Sequence, residues 1–422
     1  MLPASLVAPA MPVGPVGPVS AGLALAGIPL EFLFFGLVLA VVAAAPRMAG
    51  RAALAGALGI SLYKAACSPF DEGAGWAGLL AHGMHEWVGL ANLLALLLGF
   101  ALLAKHFENS RAAHALRRAL GDGPATGFVL LLGVFVLASF LDNIAAAMIG
   151  GTIARSVFRG KVHVGYLAAI VAASNAGGSG SVIGDTTTTM MWLAGVSPAA
   201  VFTAYAAAVA ALFVVAVPAS LQQHRHSPAV RDDDVAHPVD WGSVMVVGFV
   251  LLLAVAANLL INLEFAGWAQ VFPFLGLSVW LALLIATPLR RPEWVALPHT
   301  LRSAGFLLAL VWCASLMPVQ ALPAPSWPST LCAGFISAVF DNIPLTALAL
   351  KQGGYDWGYL AYAVGFGGSL LWFGSSAGVA LADMFPEARS ARAWLTQGWH
   401  VALGYVVGFF FMLATLGWQA GH

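Results

Sequence analysis

Charge is what this sequence has least of. Only 9% of its 422 residues are Asp, Glu, Lys or Arg, where a soluble domain carries about a quarter. The 18 basic and 18 acidic residues cancel, so net charge gives no sign of a nucleic-acid surface. Cysteine is scarce as well. Cys67, Cys313 and Cys332 stand far apart, which excludes a disulfide framework and a cysteine-based metal site. Residues 1–20 contain no Lys or Arg, which excludes the basic start of a secretory signal. They read as a loose non-cytoplasmic tail.

What fills the sequence instead is apolar. Hydrophobic residues make up 60% of the chain, and the mean hydropathy is +0.88. The fold class expected is an all-α polytopic membrane protein. Apolar runs predict full spans at roughly 22–45, 52–67, 87–104, 164–193, 199–217, 241–262, 268–288, 299–317, 357–383 and 394–416. The runs 164–193 and 357–383 exceed the ~20 residues a plain span needs, and Gly-Gly-Ser interrupts both. Two further segments, 124–158 and 329–350, carry Asp-Asn near their centres. Their arms, at about 16–24 Å of helical rise, fall short of a ~30 Å bilayer core. Each is therefore expected to be a re-entrant hairpin with a polar tip at mid-membrane.

With the N-terminus outside, every Lys and Arg except Lys64 and Lys351 falls on the cytoplasmic side. This is the asymmetry that the positive-inside rule demands. Both termini are then outside, and the membrane is expected to be the bacterial inner membrane.

The order of elements repeats. Three spans, a hairpin, a broken span and a closing span occupy 22–217 and again 241–416, with a tail at 1–21, a cytoplasmic linker at 218–240 and a tail at 417–422. Phe140-Leu141-Asp142-Asn143-Ile144 echoes Val339-Phe340-Asp341-Asn342-Ile343, and Gly177-Gly178-Ser179 echoes Gly367-Gly368-Ser369. Five full spans per half is an odd number, so the second copy is expected to be inverted. Secondary transporters are commonly built this way, with a midplane site where discontinuous helices meet.

Candidate site residues follow from that layout. Asp142, Asp185 and Asp341 are carboxylates at membrane depth, costly unless paired, protonated or bound to a cation. Asn143, Asn175 and Asn342 add amide oxygens; Ser179, Thr187, Thr188, Thr346, Ser369 and Ser375 add hydroxyls. Gly177, Gly178, Gly180, Gly365, Gly367 and Gly368 are expected to let the backbone unwind and free its carbonyls; the competing role for them is close helix packing. If a helix resumes after Gly184, then Asp185, Thr188 and Thr189 share a face; alternatively the threonines bond their own backbone. No Lys or Arg occupies these motifs. Carboxylates, hydroxyls and amides suit a hard cation, so Na⁺ at Asp142, Asp185 and Asp341 is the expectation. A carboxylate that takes either Na⁺ or a proton, joined to alternating access, is enough for antiport. Glu31, Asn258 and Asn262 read as interface or interhelix residues, His400 as a packing residue, and His163 and His299 as edge residues without chemistry.

The motifs Ser139-Phe140-Leu141-Asp142-Asn143, Asn175-Ala176-Gly177-Gly178 and Ile183-Gly184-Asp185-Thr186-Thr187-Thr188 resemble the NhaD-type sodium/proton antiporters. So do Asp341-Asn342-Ile343-Pro344-Leu345, Gly367-Gly368-Ser369-Leu370 and Gly374-Ser375-Ser376-Ala377-Gly378. These belong to the wider ion transporter superfamily of arsenite permeases and dicarboxylate carriers. The resemblance implies exchange of Na⁺ or Li⁺ for H⁺, Asp142, Asp185 and Asp341 as carriers, a homodimer, and no cofactor beyond the transported ions. Other cargoes in the same fold, arsenite, antimonite or a sodium-coupled carboxylate, stand as alternatives. An intramembrane aspartyl protease is disfavoured, because Val182 stands where Gly-x-Gly-Asp needs its first glycine. The chain is not expected to be an enzyme.

Overall fold

In a computed structural model of the chain, the described residues are 23–25, 27–45, 48–110, 123, 125–229, 239–264, 271–340 and 342–421. The tail 1–21, the linker residues 230–238 and Asp341 lie outside them. A small hairpin, β1 (Ala24–Leu25) and β2 (Ile28–Pro29), precedes α1 (Leu30–Ala44), so the first helix starts later than the expected 22. Then come α2 (Ala49–Cys67) and α3 (Gly75–Asn109). The latter begins well before the expected 87. His82 in its first turns is buried but bonded at 3.0 Å to both Glu72 and Ser315, so polar residues there do not stop the helix.

The first expected hairpin is two short helices, α4 (Thr126–Ala138) and α5 (Asn143–Val157). The first broken span is α6 (Val164–Ser179) and α7 (Thr186–Leu193). After them run α8 (Pro198–Phe202), α9 (Ala204–His226), α10 (Trp241–Glu264), α11 (Phe274–Ala286) and α12 (Leu297–Ser315). The second hairpin is α13 (Trp327–Ser337) and α14 (Asn342–Gln352). The second broken span is α15 (Trp357–Gly367) and α16 (Ser376–Met384). Two last helices, α17 (Ala391–Gln397) and α18 (Trp399–Leu416), close the chain. Among the described residues, Gly75–Leu103, Pro198–His226, Trp294–Ser315 and Trp399–Leu416 are each long and apolar enough to cross a membrane alone.

The core divides in two. One cluster joins α1, α2, α12 and Leu93 of α3, with Met190, Ile343 and Ala347 reaching in from α7 and α14. The other is built on α4, α6, α9, α15 and α18. In the second cluster, small residues set the spacing. A Cβ on Gly408 would strike the Tyr362 hydroxyl and the Ala207 carbonyl, so glycine is what lets α18 lie against α9 and α15. Outside the membrane-spanning helices, Arg290 clasps Asp240 with two bonds of 2.9 Å. That guanidinium holds the Asp240 carboxyl well below the usual carboxylate range.

The glycines of the broken spans correct an expectation. Gly177 and Gly178 lie inside α6, and Gly365 and Gly367 inside α15; chain unwinds only after them, at 180–185 and 368–375, where Gly180 and Gly368 stand as expected. The role of those inside the helices is close approach. A Cβ on Gly177 would overlap the Phe135 carbonyl of α4, and one on Gly367 the Gly334 carbonyl of α13. A Cβ on Gly178 would lie 2.8 Å from the Gly184 carbonyl, and one on Gly368 2.9 Å from that of Gly374. Backbone carbonyls inside helices cannot step aside. Gly177→Ala and Gly367→Ala are therefore expected to cut the yield of monodisperse protein in detergent severely. Gly248→Ala, on α10 with open space around it, should leave it unchanged.

Candidate ion-binding site

Four helix starts, those of α5, α7, α14 and α16, supply residues to the site. Asp185 caps α7, its side chain accepting from the Thr187 amide at 3.4 Å. Asp142 stands at the cap position of α5 without a side-chain cap bond. Helix N-termini carry partial positive charge, which favours a carboxylate there. The tip of the first hairpin is pinned to the first break, because the Asn143 amide donates to the Gly184 carbonyl at 3.1 Å.

A chain of buried amides and hydroxyls ties the two halves together. Asn143 Nδ2 donates to Asn175 Oδ1 at 3.1 Å. Asn175 Nδ2 in turn donates to the hydroxyls of Ser369, 2.9 Å, and Ser375, 3.2 Å. Asp185 Oδ2 accepts from Thr187 Oγ1 at 2.9 Å and from Asn342 Nδ2 at 3.3 Å. Asn175, Thr187 and Ser369 are fully buried, and Asp185 is 4% exposed. Gly365 lies against this group: a Cβ there would come within 3.5 Å of Asp185 Oδ2. Asn143, Asn175, Ser369 and Ser375 thus form one hydrogen-bonded group and Asp185, Thr187 and Asn342 a second, with Gly365 lying between them.

Other expected residues do different work. Thr188 and Thr189 do not offer their hydroxyls beside Asp185. Thr188 Oγ1 donates to the carbonyls of Ser181 and Asp185, and Thr189 Oγ1 to those of Val182 and Asp185. Backbone freed at the break takes the nearest donor, and those threonines supply it. Thr187, one residue earlier, is the hydroxyl that reaches the carboxylate. Ser179 bonds the Ala176 carbonyl and Thr346 that of Asn342, so both hydroxyls serve their own helices. Asp341 lies outside the described residues, and among those described no group of three His, Cys, Asp or Glu is placed to hold a metal ion.

The structure adds residues that the motifs did not single out. Ser139 and Tyr205 donate to the Gly177 carbonyl at 3.2 and 3.1 Å, and Trp394 Nε1 donates to that of Ser369 at 3.0 Å. Ser139 opens the motif that contains Asp142, three positions before it, which was a signal; Tyr205 and Trp394 sit in helices without a motif, which was none. His299, read as an edge residue, lines a cavity of about 240 Å³ together with Asp142, Asp185, Thr300 and Ser303. No Lys or Arg is among the described residues lining it. His400 is fully buried, in keeping with a packing place, and Glu31 bonds Ser68 across helices at 2.6 Å. The side chains of Asn258 and Asn262 lie outside the described residues.

Helices this apolar, with buried carboxylates and amides gathered where two of them break, define a multi-pass helical membrane protein with a polar site inside the bundle. No protein-family model matches the chain. It is distantly homologous to two curated transporters of Arabidopsis thaliana. It is 26% identical to sodium/proton antiporter 2 over 298 residues, which is 61% of this chain and 69% of that protein. It is 27% identical to sodium/proton antiporter 1 over 292 residues, again 61% of this chain but 49% of the other. These relatives are transporters, not enzymes.

Proposed function

We propose that the protein exchanges Na⁺, and Li⁺ in its place, for H⁺ across the bacterial inner membrane. The observation that carries this reading is the cavity in which Asp142 and Asp185 meet hydroxyls and an imidazole but no described Lys or Arg. A dianion entering that space would face two carboxylates; a cation would be neutralised by them. Asp185 is the place where Na⁺ and H⁺ compete, with Asp142 beside it and Asp341 as a third carrier. The carboxylate holds either a proton or a sodium ion, so moving one cation inward obliges the other to leave outward.

The two halves are read as inverted repeats, 22–217 and 241–416. The matched packing of Gly177 with Gly367, Gly178 with Gly368 and the capping positions Asp185 with Ser375 supports that reading. The distant homology to sodium/proton antiporters points the same way.

Everted membrane vesicles carrying the protein are expected to lose an imposed pH gradient on addition of Na⁺ or Li⁺. K⁺, arsenite and succinate, tested side by side, should not have this effect. Competition fixes the pH dependence. Where protons occupy the carboxylate, the apparent KM for Na⁺ should rise about tenfold for each unit of falling pH. A gradient that persists through Na⁺ and Li⁺ addition, with the protein verified in the membrane, would sink the antiport reading. Uptake of arsenite or succinate in the same assay would replace it.

A further inference from the structure

Two cavities lie along the same pair of helices, α3 and α12, on either side of one leucine. The first is the 240 Å³ space that holds Asp142 and Asp185, walled on α12 by His299, Thr300 and Ser303. The second, about 550 Å³, is lined by Asp71, Glu72, Glu86 and Lys351 at one end and Met190 and Ala347 at the other. Leu93 lines both. It is 2% exposed and belongs to the cluster that includes Met190, Leu310, Ile343 and Ala347.

On the sidedness that the charge pattern implies, the two spaces face opposite sides of the membrane. His299 and Thr300 belong to the first turn of α12, next to Arg290, Arg291 and Arg302, and positive charge marks the cytoplasmic side. The second space lies at the other end of the same helix. There Lys351 Nζ donates to the carbonyls of Ser315 and Met317 and pairs with Asp71 at 2.9 Å.

We infer that these cavities are two halves of one ion path running between the α3–α12 wall and the broken helices, with Leu93 as the seal between them. This rests on the reading of Asp185 as an ion carrier. Three features of the wall support it. His299, Thr300 and Ser303 fall three and four positions apart, so they present one polar stripe at the start of a helix that is apolar from Ala304 to Ala314. That stripe faces the carboxylates across the cavity, and it can replace waters that a cation sheds on entering a narrow space. The seal is a packed leucine, and a dry apolar constriction stops both ions and water-borne protons. In this state the cytoplasmic half reaches Asp142 and Asp185, while the outer half ends at Met190, one residue beyond Thr189.

Cysteine labelling tests the path without reference to the cargo. In a chain with Cys67→Ser, Cys313→Ala and Cys332→Ser, the positions Ser303→Cys and Gln320→Cys are probed in sealed vesicles with a charged, membrane-impermeant thiol reagent. Ser303→Cys is expected to react from the cytoplasmic face alone, and Gln320→Cys, which lines the second cavity, from the outer face alone. Ser303→Cys inert from both faces would make the first cavity a lipid-filled crevice and overturn the path. In proteoliposomes, Leu93→Ala is expected to leak radiosodium with no counter-gradient, and Leu93→Val to leak less. If the folded variants remain as tight as the parent chain, Leu93 is not the seal. A protein that labels as expected but exchanges no Na⁺ keeps the path and loses the antiport reading; one that exchanges but does not label keeps antiport and loses the path.

Discussion

Asp185→Asn is expected to abolish Na⁺-dependent proton movement in everted vesicles while leaving the amount of inserted, monodisperse protein near normal. The substitution keeps the shape. The carboxylate now accepts from the Thr187 amide on one oxygen and from the Thr187 hydroxyl on the other; an asparagine Oδ1 keeps the amide bond, and its Nδ2 can donate to the hydroxyl, which turns to accept. What it removes is the negative charge and the proton site. A side chain that can neither balance a cation nor take up a proton leaves nothing for the two ions to compete over. The one new strain is at Asn342, whose Nδ2 now donates to Asp185 Oδ2; an amide flip of Asn342 relieves it. Thr187→Val is the graded control. It deletes one neutral donor to the same oxygen, worth about 1 kcal/mol, and should raise the KM for Na⁺ several-fold without abolishing exchange. Normal exchange by Asp185→Asn would take Asp185 out of the site.

Asn175→Ala should do the opposite: it should destabilise the protein as well as silence it. Asn175 accepts from Asn143 and donates to Ser369 and Ser375, so it joins the first hairpin, the first broken helix and the second broken helix. It is fully buried. Truncation leaves an amide and two hydroxyls without this partner in a place water does not reach. Each such group costs about 1–3 kcal/mol. The expected result is a fall of several degrees in melting temperature in detergent, with exchange lost. Asn175→Asp, which keeps the acceptor to Asn143 but cannot donate to the serines unless protonated, should recover part of the stability at low pH and little at high pH. A melting temperature unchanged by Asn175→Ala would mean that the halves are held together elsewhere.

The breaks were legible because polar chain at mid-membrane has few physical explanations. Asp142-Asn143 and Asn175–Asp185 interrupt apolar runs, and the structure interrupts its helices there too, at 139–142 and 180–185. Misread was the part of the glycines inside the helices, while Gly180 and Gly368 do stand in the unwound chain. Sequence shows that Gly177 lacks a side chain; it does not show that the Phe135 carbonyl lies against it. Unwinding and close packing make the same composition, and the choice between them depends on a neighbour about forty positions away. The threonines failed for a similar reason. Helical spacing put Thr188 and Thr189 beside Asp185, but the break released carbonyls at Ser181 and Val182 that claim those hydroxyls first.

Apolar content, span spacing, charge asymmetry and the positions of the buried carboxylates are properties of the chain itself, because the bilayer penalises each residue nearly independently of its neighbours. These settled that the protein is a multi-pass helical membrane protein with polar breaks. Which hydroxyl reaches Asp185, how Asn175 bridges the two broken spans, and that His299, Thr300 and Ser303 share a cavity with the carboxylates were decided by tertiary packing alone. Hydrogen bonds and cavities belong to pairs of surfaces, and the partners that Asn175 joins are 32 to 200 positions apart in the chain.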